Sequence, residues 1–297
     1  MSTVSPVSTV SSSWHVLEAG ALVTLQDVGR AGLAHLGVPR AGWLDPAAAT
    51  LANRLVGNRE DAALLEVAGG GVRLQHRGDA GRWVAVTGAG CAVVVDGVAR
   101  DHGHPTWLPV GGELRLGSAL TGVRSYLAVA GGVEVTPVLG SRSTDTLAWV
   151  GPPQVRAGAV LPVGTVHGPP SPVDVTEQPH RAGRLRVSPG PRADWFGPDA
   201  LAQLCVAEYA VTADSNRVGL RLSGPALTRV RTDELPSEGL VLGAVQVPPD
   251  GLPVVFLADH PTTGGYPVIA VVEAADLGRC AQLRPCDPVL FTAVSNA

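Results

Sequence analysis

The sequence contains no lysine, since all 22 of its basic residues are arginine. This absence excludes three kinds of site within the chain: a phosphate-binding loop of the Gly-Lys-Ser/Thr type, a Schiff-base lysine and a biotin-carrying lysine. Charged residues make up 16% of the chain, against about 25% in average proteins, and the net charge is only -4. We therefore expect neither a nucleic-acid partner nor a polybasic membrane anchor.

Long apolar runs are missing as well. No segment approaches the roughly 18 apolar residues that a membrane-spanning helix needs. Residues 1–13 lack the positively charged start of a signal peptide. We expect residues 1–13 to form a loose tail and the protein to be cytoplasmic, without a membrane partner.

Cysteine is scarce, and its spacing argues against metal binding. The four cysteines include no C-x-x-C pair and no zinc-ligand spacing. Free thiols in a reducing compartment are the favoured interpretation, although the short separation of Cys280 and Cys286 leaves a disulfide between them open. His102 and His104 lack a third ligand, so we favour an exposed hairpin there and predict no metal site.

Glycine and proline, in contrast, are abundant. The 37 glycines and 25 prolines form about a fifth of the chain, against about 12% on average, while 45% of the residues are apolar. This combination predicts many short strands separated by tight turns. Asp96-Gly97 between two valines indicates a hairpin with a type I′ turn. The strand candidates are residues 16–25, 72–74, 83–87, 92–95, 113–116, 125–130, 185–187, 240–247, 254–257 and 268–272.

A few short helices are expected between the strands. Asp45 is a good N-cap and Pro46 suits a first turn, so a helix is predicted over residues 46–55 that ends at Gly57. Two further short helices are predicted over residues 59–65 and, approximately, 198–208.

The proline-rich residues 165–183 are interpreted as a linker or crossover. They would separate an N-terminal domain, residues 14–164, from a C-terminal domain, residues 184–297. Both parts contain Arg-x-Gly-Leu, which starts at Arg30 and at Arg217, with a further glycine seven residues after each arginine. This repeat favours tandem copies of one β-rich fold.

The most informative loop is residues 259–267, which joins two apolar strand candidates. It carries a carboxylate, an imidazole, two hydroxyls, two glycines and a phenol, more chemistry than a plain turn needs. Glycine lets a backbone approach a ligand closely. The alternative is a wide loop whose hydroxyls bond to their own backbone, and the residues alone leave both interpretations open.

Three other polar clusters lie next to glycines at predicted strand ends, where functional loops are commonly displayed. Arginine offers a planar fork for a carboxylate or phosphate, and Asp or Glu can act as a base. For Arg30 and Arg217 the alternative role is to bridge carbonyl groups at a turn, and for Asp45 it is the helix cap. The clusters are residues 26–30, residues 140–145, and residues 215–217 with Glu234 and Glu238.

These clusters resemble the family that contains the C subunit of 5-oxoprolinase, also known as KipA, as the biotin-dependent carboxyltransferase family and as allophanate hydrolase subunit 2. The resemblance runs in family order from Leu25 onward. Two departures are a less glycine-rich segment at residues 151–156 and Cys286, which stands where glycine is expected. The matching segments are residues 25–30, 37–39, 42, 45, 52–58, 65–66, 126–132, 139–145, 189–191, 194–196, 215–222, 237–239, 246–251 and 262–267.

The resemblance implies a mainly β protein with a few short helices, built as two tandem cyclophilin-like β-barrel domains. It implies the C subunit of an ATP-dependent 5-oxoprolinase, which acts with an A subunit and a KipI-like B subunit to convert 5-oxoproline to glutamate. ATP would be shared with the partner subunits, and the chain alone would be inactive.

Two alternative functions remain open. One is the carboxyltransferase component of a biotin-dependent urea or amide carboxylase, with biotin carried on another chain. The other is a KipA-like binding protein that antagonises a KipI-like kinase inhibitor.

The 5-oxoprolinase interpretation suggests a role for each polar group. Asp259 or Glu238 would handle protons, Tyr266 would donate to the lactam oxygen, and Arg217 would bind the substrate carboxylate bidentately. We predict that residues 259–266 line one cleft with Arg217 and Glu238, and that glycine N–H groups there form an oxyanion-type donor set. The complete set of predicted substrate-binding residues is Arg217, Thr262, Thr263, Gly264, Gly265, Asp27 and Arg30.

Overall fold

The computed structural model describes residues 12–171, 183–231 and 233–294. Its strands up to Pro162 form two sheets, and most later strands form a barrel. Short 3-10 helices cover Ala34–Leu36 and Ala193–Trp195. The first part contains β1 Ser12–Glu18, β2 Leu22–Gln26, α1 Pro46–Leu55, β3 Leu64–Ala68, β4 Gly70–Gly78, β5 Arg82–Gly88, β6 Cys91–Val95, β7 Val98–Arg100, β8 Thr106–Leu108, β9 Glu113–Ala119, β10 Arg124–Val129 and β11 Val160–Pro162. The second contains β12 Gly183–Pro189, α2 Ala200–Val206, β13 Glu208–Val211, β14 Gly219–Ser223, β15 Glu238–Gly239, β16 Ala244–Gln246, β17 Val254–Phe256, β18 Thr263–Gly264, β19 Val268–Val272, α3 Ala274–Cys280 and β20 Pro288–Ala293.

The first part, which we call the N-terminal half, contains two packed sheets. One has the strand order β11-β1-β4-β9-β6-β7 and the other β2-β3-β10-β5-β8. Trp14 and Leu74 of the first sheet share a core with Leu65 and Leu127 of the second. Helix α1 covers the outer face of the second sheet, and Leu55 packs there. Both faces of β10 are therefore covered, which explains why all six of its residues are buried.

The second part, the C-terminal half, is built around a closed barrel in the order β12-β19-β16-β17-β14-β13-β20. Its core includes Leu185, Tyr209, Ile269 and Phe291. Closure removes exposed strand edges from this sheet. Strands β15 and β18 pair with each other in a separate two-stranded ribbon beside the barrel.

The prediction of a mainly β protein with a few short helices is confirmed. Among the described residues, the strands of the C-terminal half close into a barrel, whereas those of the N-terminal half pack as two sheets. The predicted domain limits stay a prediction. Strand β1 already begins at Ser12, inside the expected tail, while residues 1–11 and 172–182 lie outside the described residues.

Several local predictions are confirmed because they depend on neighbouring residues only. The Asp45 side chain caps α1 by accepting a hydrogen bond from the Ala48 N–H at 3.1 Å. Asp96 and Gly97 have φ of 48° and 79° in the hairpin of β6 and β7, as a type I′ turn requires. Cys286 has φ of 73°, so it takes the conformation that favours the glycine expected there.

Other local predictions are wrong. Residues 59–65 do not form a helix, because Leu64 and Leu65 begin a buried strand between β2 and β10. The predicted strand over residues 16–25 is two strands, β1 and β2. The repeated Arg-x-Gly-Leu motif does not share one local structure: Arg30 precedes a 3-10 helix, whereas Arg217 leads directly into β14.

All four cysteines are free, and Cys280 is buried while Cys286 is exposed, so the disulfide alternative is wrong. Within the described ranges, no three His, Cys, Asp or Glu side chains are grouped in a way that could hold a metal ion. No helix in that part of the chain is both long enough and apolar enough to cross a membrane.

Candidate functional site

A buried charge cluster joins the two halves, and Arg217 is at its centre. Its Nε and Nη2 donate to the two carboxylate oxygens of Asp259 at 2.9 and 3.0 Å. Its Nη1 donates to Glu66 of β3 at 2.5 Å, and its Nη2 also donates to the Gly42 carbonyl at 2.6 Å. Arg217 and Asp259 belong to the C-terminal half, whereas Glu66 and Gly42 belong to the N-terminal half. The guanidinium therefore links the halves.

Electrostatics keep the Arg217 guanidinium charged in spite of its burial. Burial alone lowers the pKa of Arg217, but the attraction of Glu66 and Asp259 outweighs it, and the net shift is upward. Asp259 accepts two further hydrogen bonds, because the Thr146 N–H and hydroxyl donate to its Oδ2 at 2.9 and 2.7 Å. Arg217 and Asp259 are both fully buried. Their geometry favours the structural alternative over the predicted contacts with a substrate.

A hydrogen-bonded chain extends from Glu66 through the interface. The Tyr126 hydroxyl donates to Glu66 at 2.9 Å and accepts from the Asp45 N–H at 2.8 Å. The Gln282 amide then donates to the Asp45 carboxylate and to the Arg124 carbonyl, both at 3.0 Å. Burial, and then the charge of Glu66, raise the pKa of Tyr126 well above its ordinary value. The phenol is consequently a neutral hydrogen-bond donor at neutral pH.

Sequence reasoning assigned no role to most of this chain of groups. Glu66 and Tyr126 were part of family-like segments, and Glu66 is also a carboxylate within the apolar run of β3. The sequence around Tyr126 and Gln282 does not indicate their contacts with Asp45, because only the fold brings them together.

A second cluster surrounds Asp27 in the N-terminal half. Its carboxylate accepts from the hydroxyls of Ser141 and Ser143 at 2.6 and 2.7 Å, from the Arg142 N–H at 2.6 Å and from the Gly29 N–H at 2.8 Å. The Asp27 carboxylate therefore holds the loop of residues 138–151 against the loop that follows β2 through these hydrogen bonds. The predicted role of Asp27 in substrate binding gains no support from this arrangement.

Arg30 lies in the same cluster and is only 3% exposed. Its Nη2 donates to the Ser143 carbonyl, and its Nε lies 3.4 Å from the Val138 carbonyl. Within the described residues its Nη1 is buried without a hydrogen bond. Burial lowers the pKa of Arg30, while the charges of Asp27 and Asp145 act in the opposite direction. Because the guanidinium is covered by protein, it bridges carbonyls at a turn, which was the structural alternative.

The remaining predicted residues lie on the β15–β18 ribbon and the turn after it. Glu238 pairs with the guanidinium of Arg192 and lies opposite Gly264. Thr263 pairs with Gly239 in the same ribbon. An added Cβ at position 264 would lie 2.7 Å from Leu240 Cδ1, at the end of a leucine side chain. Gly264 is therefore packed closely against Leu240.

Tyr266 is the accessible aromatic group of this region, with 44% of its surface exposed. The guanidinium of Arg229 lies 5.6 Å from its ring centroid. Arg229 donates from Nη2 to the Val247 carbonyl, and its buried Nε has no hydrogen bond among the described residues. Sequence reasoning missed Arg229, because it lies far from Tyr266 in sequence and in no polar cluster.

The structure therefore divides the predicted cleft into two parts. Arg217 and Asp259 form its buried base, where the loop of residues 259–267 begins. Glu238 and Tyr266 belong to the accessible part, together with the remaining predicted residues Thr262, Thr263, Gly264 and Gly265. His260, between the two parts, is buried against Phe256, and burial lowers its pKa. A substrate can reach only the accessible part.

A separate cavity of about 490 Å³ contains none of the predicted site residues. It lies at the β8 edge of the five-stranded sheet, against the proline-rich residues 166–170. Trp83 and Trp107 meet edge to face in its wall, with their ring centroids 5.4 Å apart.

The chain belongs to the family of carboxyltransferase domains described as subdomain A and B, which matches residues 36–293. It is 38% identical to the 5-oxoprolinase C subunit of Escherichia coli over 283 residues, covering 94% of this chain and 91% of that protein.

Two solved structures show similar folds. One is the crystal structure of TTHA0988, with 39% identity and a TM-score of 0.85 over 94% of this chain. The match covers 55% of the TTHA0988 chain, so this chain corresponds to about half of that longer one. The other is the urea amidolyase of K. lactis, with 28% identity and a TM-score of 0.87 over 95% of this chain, where the match covers 19% of the amidolyase.

Proposed function

We propose that this chain is the C subunit of an ATP-dependent 5-oxoprolinase and converts 5-oxoproline to glutamate together with the A and B subunits. The observation that carries the proposal is the match to the C subunit of E. coli over 91% of that protein's length. The urea amidolyase of K. lactis is matched over only 19% of its chain. The 5-oxoprolinase C subunit of E. coli thus aligns with this chain over nearly the whole length of both proteins.

The accessible part of the site suits a cyclic amide that bears a carboxylate. The Tyr266 hydroxyl would donate to the lactam oxygen, where negative charge develops when the ring carbonyl is attacked. Arg229 replaces Arg217 as the partner for the substrate carboxylate, because it is partly exposed and its guanidinium lies beside Tyr266. Glu238 would handle protons after separating from Arg192. Asp259 is a positioning residue, because it fixes the start of the loop that carries Tyr266.

ATP would activate the lactam before water opens the ring. The sequence has no Gly-Lys-Ser/Thr loop, so the phosphates would be held largely by the partner subunits. We accordingly expect the chain alone to be inactive.

A second candidate function is carboxyl transfer to urea or another amide, with biotin carried on a different chain. The observation that favours it is the TM-score of 0.87 against the K. lactis urea amidolyase. The KipA-like antagonism of a kinase inhibitor stays a prediction, which binding to a KipI-like chain without any turnover would favour.

Reconstitution tests the proposal. The chain would be mixed with the A subunit and the KipI-like B subunit from its own organism, and glutamate and ADP would be measured with 5-oxoproline and ATP present. We expect turnover from the three proteins together and none from the chain alone. Robust turnover by the isolated chain, or none from the complete set alongside turnover of urea with a biotin carrier, would contradict the proposal.

Two variants test the assigned roles in the reconstituted enzyme. Arg229→Gln should raise the KM for 5-oxoproline roughly tenfold or more, because a charged hydrogen bond to the carboxylate is lost. Tyr266→Phe should lower kcat by roughly 100-fold. Arg231→Gln is the matched control, since Arg231 lies over the Trp195 ring as Arg229 lies over Tyr266. Wild-type kinetics for both test variants would remove Arg229 and Tyr266 from the site.

A further inference from the structure

Two neighbouring loops of the N-terminal half expose an unusual number of apolar side chains. One loop follows β2, and the other covers residues 138–151. Trp149, the largest of these side chains, is 57% exposed in a protein with only 4% aromatic residues. We call this surface the loop face, defined by Val28, Leu36, Val138, Leu139, Leu147 and Trp149.

Hydrogen bonds from buried polar groups fix the backbone beneath the loop face. Arg30 and Asp27 of the first loop bond to the second loop through the Val138 carbonyl and the Ser141 hydroxyl. Thr146, next to Leu147, donates to Asp259 at the base of the candidate site. The apolar side chains are therefore presented on a backbone that buried polar groups fix, and the face adjoins the loop that carries Tyr266.

Two of the exposed residues occupy strained backbone positions. Leu139 and Gly140 form a two-residue turn between Val138 and Ser141, with φ of 51° and 80°. Asn, Asp or Gly normally fills the first position of such a turn, because a leucine side chain is crowded there. Trp149 likewise has φ of 56°. Bulky side chains that are both strained and exposed are typical of functional surfaces rather than of folding.

We infer that the loop face is the docking surface for a second protein, the one that corresponds to the remainder of the longer TTHA0988 chain. This chain matches 94% of its own length to 55% of TTHA0988, so in that relative further polypeptide is covalently attached to the same fold. A fixed apolar surface with an exposed tryptophan is the kind of anchor that protein interfaces use. The inference rests on the proposed function, in which that partner is the KipI-like protein, and it places the partner beside the candidate site.

The test measures the dissociation constant of the complex with the KipI-like protein of the same organism by analytical ultracentrifugation. Trp149→Ser should weaken binding about tenfold or more. Trp107→Ser is the matched control: Trp107 is 46% exposed on β8, at the opposite edge of the five-stranded sheet from β2, and should bind as the wild type does. Leu139→Asn should weaken binding and raise the melting temperature of the isolated chain, because it relieves the strained turn.

Each other outcome is decisive. Unchanged binding by Trp149→Ser and Leu139→Asn, with turnover of the reconstituted wild type intact, would overturn the docking surface and leave the proposed function standing. Equal weakening by the Trp149 and Trp107 variants would also overturn it. A chain that dimerises alone through Trp149 would overturn it too, since a second copy would then cover the face. If wild-type chain neither binds the KipI-like protein nor supports turnover, the proposed function fails as well.

Discussion

Arg217 shows how one side chain can be assigned a role that its surroundings do not support. Beside Asp259, its fork suits a substrate carboxylate, but in the structure that fork already holds Asp259, Glu66 and Gly42. Burial of the Arg217 guanidinium costs solvation free energy. Glu66 and Asp259 offset this cost only while they stay paired with it. Removal of one partner leaves uncompensated buried charge.

Arg217→Ala should therefore lower the free energy of unfolding by about 3–5 kcal/mol. Urea denaturation followed by circular dichroism measures this change. Arg192→Ala is the control, because the Arg192–Glu238 pair is about one-third exposed and such a pair contributes roughly 0–1 kcal/mol. Normal stability together with lost turnover in Arg217→Ala would restore the catalytic interpretation.

Helix α1 shows which features of an element depend on its own sequence. Asp45 caps it, Pro46 occupies its first turn, and Gly57 follows its end with φ of 74°. These signals lie in or next to the helix, so the sequence alone predicted them. The burial of Asn53 could not be predicted in this way, because its amide donates to the Glu60 and Ala62 carbonyls of a segment whose path only the fold defines.

Asp45→Ala should lower the free energy of unfolding by about 1–2 kcal/mol through the lost cap. The loss of the Gln282 hydrogen bond adds to this effect. Asp199→Ala offers a matched control, because Asp199 holds the N-cap position of α2 but its side chain makes no capping hydrogen bond. Thermal and urea unfolding would be compared for both, and equal effects would show that the Asp45 cap contributes nothing specific.

At the scale of the whole molecule, the buried charges predict that the two halves unfold together. If either half opens alone, the bond between Arg217 and Glu66 breaks, and Asp259 loses its bond to Thr146. Hydrogen exchange of the wild type should therefore give the same opening free energy for β10 in the first half and β19 in the barrel.

In Arg217→Ala this coupling should weaken, and the less stable half should open at lower denaturant than the other. Hydrogen exchange resolved by mass spectrometry would measure both strands in one sample. Separate opening of the two strands in the wild type would contradict the predicted coupling.

The sequence alone determined features that depend on composition and near neighbours. Abundant glycine and proline with little charge predicted short strands, Asp96-Gly97 predicted its hairpin turn, and the ordered motifs predicted the family. It did not determine which half closes into a barrel, nor that residues 64–68 form a strand. Leucine and glutamate suit a helix there, and burial between β2 and β10 overrides that preference.

Only the tertiary structure decided which polar groups a substrate can meet. The sequence around Arg217 and Asp259 does not show whether these side chains face solvent or a buried partner. In the structure they pair with each other, although they lie 42 positions apart along the chain. Burial and pairing depend on contacts between distant segments, and these contacts assigned Arg217 and Asp259 to the interface of the two halves. The same contacts left Tyr266 accessible beside Arg229, and presented Trp149 on the surface.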